Sequence, residues 1–149
     1  MIEPVVEDEG WRDAMPEIEA LTAACLEAAA AREPELQREI ALMFCDDAKI
    51  RELNRQFRGQ DKPTNVLSFP SGEAEGFLGD IALSRETCVR EANDKGLPLR
   101  DHAAHLIIHG MLHLIGYDHQ TDADASVMER CETVILGSMG IADPYGAEE

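Results

Sequence analysis

The sequence contains no run of about 18 apolar residues, the length that a membrane-spanning helix needs. Its N-terminus, MIEPVVEDEG, is acidic and lacks the basic segment and apolar stretch of a signal peptide. We therefore predict a cytosolic location and no membrane partner. Internal repeats, low-complexity tracts and linkers are also missing, so we predict a single domain over residues 1–149.

The sequence also lacks any closely spaced pair of cysteines. Its four cysteines are far apart along the chain, which excludes a zinc ribbon and a thioredoxin-type C-x-x-C pair. Because each lies in an apolar segment and cytosolic proteins rarely contain disulfides, we predict four buried free thiols. They are Cys25, Cys45, Cys88 and Cys131.

Basic residues are scarce, with 13 Lys and Arg against 30 Asp and Glu and a net charge of −17. This balance argues against a general affinity for nucleic acid and against a DNA partner, because phosphates require basic side chains. Five of the 13 basic residues nevertheless lie within 14 positions, in a segment with only two acidic residues. This basic segment is either a phosphate-binding face or an ordinary solvated face. Its basic residues are Lys49, Arg51, Arg55, Arg58 and Lys62.

Hydrophobic periodicity predicts strands and helices mixed along the chain, and hence an α+β fold with a small mixed sheet. The predicted strands are IEPVVE, EIALMFC, NVLSFP and LGDIALS. The predicted helices cover residues 11–31, the segment capped by Asp46 or Asp47 and ending at Phe57, residues 85–95 before Gly96, residues 98–115, and a segment that Thr121 caps.

Some helical residues carry more specific predictions. Ile50, Leu53 and Phe57 fall on one face of their helix, which we predict to be buried. The helix over residues 98–115 is apolar on nearly every side, which predicts burial all round. Ser84 is predicted to cap the helix that follows it.

The segment HGMLHLIGYDH, residues 109–119, contains three of the five histidines in an apolar setting. Residues four apart on a helix lie one turn apart on the same side, so His109 and His113 can face one ion. Gly116 permits a positive φ that ends the helix, and the returning chain can bring His119 to the same point. Three neutral imidazoles with an open fourth position are typical of a catalytic zinc site. Nickel is an alternative at such a site.

The spacing resembles the metzincin pattern, H-E-x-x-H-x-x-G-x-x-H, except that Gly110 replaces the glutamate that activates water in those proteases. Loss of this general base argues against peptidase activity. We also expect the glycine to leave open space beside the ion.

Five other polar residues each have a structural interpretation as well as a functional one. His105 is predicted to be a hydrogen-bonded core residue in preference to a substrate contact, and His102 a surface residue. Asp118 either orients a ligand imidazole or is an ordinary turn residue. We predict a packing role for Ser68 and a buried turn hydrogen bond for Asp80.

The segments HGMLHLIGYDH, LNRQFRGQDKPTNVLSFP and GDIALS together resemble the YbeY family of bacterial metal-dependent endoribonucleases. The likeness extends from about residue 38 to IADPY at 141–145. It implies a zincin-like α+β fold with a four-stranded mixed sheet packed with helices. It also implies cleavage of single-stranded RNA in ribosomal RNA maturation, especially at the 3′ end of small-subunit RNA, and a role in ribosome quality control. The small ribosomal subunit and its proteins are the implied partners.

Residue by residue, the resemblance implies one zinc ion on His109, His113 and His119 and a functionally important arginine at Arg58. An ion on three neutral histidines lowers the pKa of its bound water to about 7. We expect Arg58 to stabilise charge on the phosphodiester, with His113 as the second residue required for catalysis. Arg51, Arg55 and Lys62 are candidate substrate contacts, with an ordinary solvated face as the alternative. His105 is a further candidate, with the core role as the preferred interpretation.

Three other functions remain open from the sequence. A zincin-like metalloprotease fits the histidine spacing, but Gly110 opposes it. A non-catalytic ribosome assembly factor would carry a structural zinc ion. Structural zinc sites have four protein ligands, so Asp118, Asp122 or a partner would have to supply the fourth. A hydrolase of small phosphodiesters is the third alternative.

Overall fold

The computed structural model describes residues 2–145. Its strands are β1 (Ile2–Val6), β2 (Glu39–Cys45), β3 (Val66–Pro70) and β4 (Phe77–Ser84). Its helices are α1 (Gly10–Ala14), α2 (Ile18–Arg32), α3 (Asp47–Arg58), α4 (Arg85–Lys95), α5 (Leu99–Leu114) and α6 (Asp122–Ser138), with a 3-10 turn at Pro34–Gln37.

The four strands form one mixed sheet in the order β1-β2-β4-β3. β1 and β4 both pair with β2 in parallel, whereas β3 pairs with β4 in the antiparallel direction. The predicted α+β class with a small mixed four-stranded sheet is therefore confirmed.

Helix α5 lies at the centre of the core, against β3 and β4 on one side and α2, α4 and α6 on the others. Its apolar side chains are buried almost without exception along its length, which confirms the helix predicted to be buried all round. The fully buried residues are Ala103, Ala104, Ile107, Ile108, Met111 and Leu112. Burial of this helix fixes the position of any functional group at its C-terminal end.

Hydrogen bonds at the helix N-termini confirm two of the predicted capping residues and contradict a third. The side chains of Asp46 and Thr121 accept hydrogen bonds from the backbone N–H groups of Lys49 and Asp124, at 2.8 Å and 3.0 Å. Ser84 precedes α4 but makes no capping bond. Its hydroxyl instead donates to a carboxylate of α3.

Two other predictions about the helices are wrong. The segment predicted as one helix over 11–31 is divided into α1 and α2, because Pro16 lacks the N–H that a continuous helix requires. Phe57 is 62% exposed, whereas Ile50 on the same helix is buried. Phe57 lies at the end of α3, where its ring packs beside that of Phe69 at 5.4 Å between centroids.

All four cysteines are free and buried, as predicted. Within residues 2–145, no helix is long and apolar enough to cross a membrane.

Candidate metal centre and adjoining clefts

The C-terminal half of α5 places two histidines side by side. His109 and His113 are one turn apart, with ring centroids 4.5 Å apart and an interplanar angle of 85°. Their Nε2 atoms are only 3.0 Å apart. Two nitrogens bound to one tetrahedral zinc ion at about 2.0–2.1 Å would be separated by about 3.3 Å. The two imidazoles are thus close to the arrangement that a shared ion requires.

A glycine turn brings the third histidine to the same point. α5 ends at Leu114, and Gly116 adopts a φ of 102°, which side chains disfavour. The ring centroid of His119 then lies 5.1 Å from that of His113. One ligand nitrogen from each of the three histidines lies within 4.8 Å of the others. Among the residues described, this is the one cluster of its kind.

Hydrogen bonds at the far side of each ring determine which nitrogen is free. The Nδ1 atom of His113 lies 2.9 Å from the carbonyl oxygen of Tyr117, and a carbonyl can only accept a hydrogen bond. The Nδ1 atom of His109 lies 2.5 Å from a carboxylate oxygen of Glu132. Both protons are therefore on Nδ1, and both Nε2 atoms present a bare lone pair.

The two Nε2 lone pairs face each other at 3.0 Å, an arrangement that a cation bound between them would stabilise. A proton is a poor candidate, because burial and the neighbouring His109 lower the pKa of His113. A divalent ion that accepts imidazole nitrogen fits the donor set, and zinc and nickel both do so.

Glu132 adjoins this site and was not among the residues predicted from the sequence. It is fully buried on α6, and its carboxylate meets His109, His105 and the hydroxyl group of Tyr145. Burial alone would raise the pKa of Glu132, but hydrogen bonds from His105, His109 and Tyr145 outweigh it and lower the pKa to about 2. One signal was present: Glu132 lies four residues after Met128 on the apolar face of its helix.

A cleft of about 520 Å³ opens over the three histidines. Arg58 at the end of α3 lines this cleft and forms no ion pair with any residue in the described range. Asp118 contributes the one carboxylate among the described lining residues. Thr64, Asn65 and Ser68 complete the polar wall that faces the histidines.

A second cleft of about 450 Å³ adjoins the first, since Arg58 and Thr64 line both. Lys62 also lines this second cleft. Arg51 does not, and its guanidinium is held by Asp61 at 2.8 Å. Arg55 is exposed on α3 and lines neither cleft.

Two more histidines lie outside the cleft. His105 is in the Glu132 network, 3.0 Å from its carboxylate, which agrees with the hydrogen-bonded core interpretation. His102 is only 2% exposed, so the prediction of a surface residue is wrong. Its Nε2 atom instead contacts Glu91 at 2.8 Å.

Among the neighbouring residues, one open alternative is decided and two expectations are corrected. Asp118 accepts a hydrogen bond from the backbone N–H of His119 at 2.8 Å, as expected of a turn residue. The carboxylate that contacts the imidazole of His109 is that of Glu132. Gly110 does not leave open space, because a Cβ atom there would lie 2.9 Å from Ile81. Asp80 is exposed and lines a separate apolar groove, so it makes no buried turn.

The sequence matches known proteins over most of its length. The family model described as Endoribonuclease YbeY matches residues 6–140. The chain is 52% identical over 123 residues to the Endoribonuclease YbeY of Sphingopyxis alaskensis, covering 74% of this chain and 73% of that protein. It is 45% identical over 168 residues to the protein of the same name from Rhizorhabdus wittichii, covering 100% and 99% of the two chains.

The fold also matches a solved structure. The solution structure of TM1509 from Thermotoga maritima aligns with a TM-score of 0.55 and 24% sequence identity, covering 100% of this chain and 96% of that one. With a family model that matches nearly the whole sequence and relatives of this identity, the chain belongs to the YbeY endoribonuclease family.

Proposed function

We propose that this protein is a metal-dependent endoribonuclease that cleaves single-stranded RNA, with one zinc ion on His109, His113 and His119. The observation that carries the proposal is the shared cleft. The three imidazoles and the guanidinium of Arg58 line one cavity, although Arg58 comes from a different helix. The family name supports RNA as the substrate.

The ion, when bound, would supply a Lewis acid and a bound water with a pKa near 7. The chain itself supplies positioning. Arg58 projects into the cleft from the end of α3 and can contact two oxygens of one phosphate. The positive charge of Arg58 then faces the phosphorus centre, where negative charge grows as the bond breaks.

The adjoining cleft supports an extended substrate. Lys62 lines that cleft, next to Arg58, so we propose that it contacts a neighbouring phosphate of the same strand. Arg55 is exposed on α3, the helix of Arg58, and is a further candidate contact. Arg51 is a weaker candidate because Asp61 already binds its guanidinium.

The net charge of −17 argues that RNA recognition is either local or helped by a partner. We propose that the small ribosomal subunit and its proteins provide this help in the cytoplasm. The substrate would then be ribosomal RNA, near the 3′ end of the small-subunit species, and the role would be ribosome maturation and quality control.

The experiment that tests this function is cleavage of a 5′-labelled single-stranded RNA by highly purified protein, with zinc content measured on each preparation. Four proteins are compared: wild type, His113→Ala, Arg58→Ala and Arg12→Ala. Arg12 is a matched control because it is exposed, pairs with Glu19 on the surface, and does not line the cleft.

We expect wild type and Arg12→Ala to cleave the RNA. His113→Ala should lose both zinc and cleavage, whereas Arg58→Ala should keep zinc and lose cleavage. Equal cleavage by all four proteins would identify a contaminating nuclease and contradict the proposal. Hydrolysis of a denatured protein that a chelator abolishes would favour the protease alternative.

A further inference from the structure

The buried carboxylate of Glu132 connects the metal centre to the C-terminal segment of the described chain. One oxygen, Oε2, accepts from His109 at 2.5 Å. The other, Oε1, lies 3.0 Å from Nε2 of His105 and accepts a short hydrogen bond from the hydroxyl group of Tyr145. Each carboxylate oxygen thus accepts at least one hydrogen bond, and these bonds favour one orientation of the side chain.

Tyr145 is itself held in place. Its backbone N–H donates to the carboxylate of Asp143 at 2.8 Å, and the same oxygen accepts from the hydroxyl group of Thr133 at 3.0 Å. Thr133 is the residue after Glu132 on α6. The segment that follows α6 therefore folds back onto the helix next to the buried carboxylate.

We propose that Glu132 is the positioning residue of the metal centre and that Tyr145, together with His105, holds it in its working orientation. The Glu132 carboxylate keeps the proton of His109 on Nδ1, so that the lone pair of Nε2 faces the other ligands. Without the Tyr145 hydroxyl, the buried Oε1 atom of Glu132 loses one of its hydrogen-bond donors. The carboxylate can then rotate away from His109. The C-terminal segment then contributes to metal affinity although none of its residues is a ligand.

This inference rests on the metal site of the proposed function but not on its RNA substrate. The test is the zinc affinity of the folded protein, measured by competition with a chromophoric chelator in the absence of RNA. The visible spectrum of the cobalt-substituted protein is a second readout, because it reports ligand geometry directly. Zinc-free proteins are compared by circular dichroism and thermal melting to establish that each is folded.

The variants are Glu132→Gln, Tyr145→Phe and Glu27→Gln. Glu27→Gln is the matched control, because it makes the same chemical change at an exposed position on α2, outside the pocket that Tyr145 and His105 line. We expect Glu132→Gln to weaken zinc binding by about 10–100-fold, as loss of an outer hydrogen-bond partner typically does. Tyr145→Phe should weaken binding less and should alter the cobalt spectrum in the same direction. Glu27→Gln should bind zinc like wild type.

Zinc affinities of Glu132→Gln and Tyr145→Phe that both lie within twofold of wild type would overturn the inference. A loss confined to Glu132→Gln would overturn the role of Tyr145. If Glu132→Gln does not fold, Tyr145→Phe decides alone, because it leaves the carboxylate in place. Absence of zinc binding by the wild type would instead contradict the proposed function.

Discussion

The hydroxyl group of Ser68 on β3 donates a hydrogen bond of 2.9 Å to the backbone carbonyl oxygen of Gly110 in the middle of α5. This contact is possible because the helix lies very close to the sheet at Gly110. A Cβ atom at this position would be 2.9 Å from Cγ2 of the buried Ile81 and 3.1 Å from the Ser68 oxygen. The absence of a side chain at residue 110 thus serves packing between α5 and the sheet.

Gly110→Ala is expected to destabilise the protein. Alanine has a higher helix propensity than glycine, but its Cβ atom would crowd the stiff, β-branched side chain of Ile81. The crowding outweighs the gain in propensity, so the free energy of unfolding should fall by about 1–2 kcal/mol. Gly137→Ala is the matched control, since Gly137 is in α6 and a Cβ atom there meets nothing within 4 Å. It should be neutral or stabilise by up to about 0.5–1 kcal/mol. Urea denaturation measures both, and a stabilised Gly110→Ala would contradict the packing argument.

Zinc should stabilise the folded protein, because a three-histidine site exists only in the native state. At a free zinc concentration of 100 times the Kd, the free energy of unfolding should increase by about 2.7 kcal/mol. Thermal melting with zinc and with a chelator measures this difference. His113→Ala should abolish the gain, whereas His119→Ala, which removes an exposed ligand, should reduce it. Identical melting of the wild type under both conditions, with no zinc retained, would exclude the metal site.

Lys62→Ala is expected to weaken RNA binding and to reduce its salt dependence. If Lys62 contacts one phosphate of a single strand, its loss should lower the slope of log K against log salt by about 0.7. Lys49→Ala is the control, because it removes the same charge from the same basic segment but lies outside both clefts. Fluorescence anisotropy of a labelled RNA at several salt concentrations gives the slopes. Equal slopes for the two variants would show that Lys62 makes no specific contact.

His102 is expected to make the protein less stable at acidic pH. Burial lowers the pKa of His102 despite its hydrogen bond to Glu91, and both Lys95 and His105 act in the same direction as burial. The unfolded chain therefore binds this proton more readily, and stability is lost as the pH falls below the ordinary value of about 6.5.

His102→Gln removes this titration and should reduce the loss of stability between pH 7.5 and 5.5. The difference in slope can reach about 1.4 kcal/mol per pH unit for one proton. Urea midpoints at several pH values measure it for wild type and variant. Parallel pH profiles would show that another group governs the acid sensitivity.

The four thiols are expected to be unreactive in the native protein. Burial raises the pKa values of Cys25 and Cys45 to about 12, and it also raises that of Cys88. Ellman's reagent at pH 8 should therefore titrate four thiols in denaturant and none promptly in the folded protein. Rapid native labelling of one thiol would identify a cysteine that is less protected than its burial indicates.

Most elements and the three metal-facing histidines were predictable because their signals are local. Strand β2 coincides with the predicted EIALMFC, and Gly116 has the positive φ that the His113-to-His119 turn requires. The predictions that were wrong concern the exposure of individual side chains. His102 was predicted to be exposed and is buried, whereas Phe57 was predicted to be buried and is exposed. The position of α4 decides how His102 is covered, and the end of the sheet decides this for Phe57.

The sequence by itself determined that two histidines one helical turn apart, followed by a glycine turn and a third histidine, can face one ion. That result follows from the fixed pitch of a helix and the freedom of glycine. Only the tertiary structure decided that Glu132 fixes the proton of His109 and that Arg58 shares the cleft. These residues are 23 and 51 positions away from His109, and no local rule governs how α3 and α6 pack around α5.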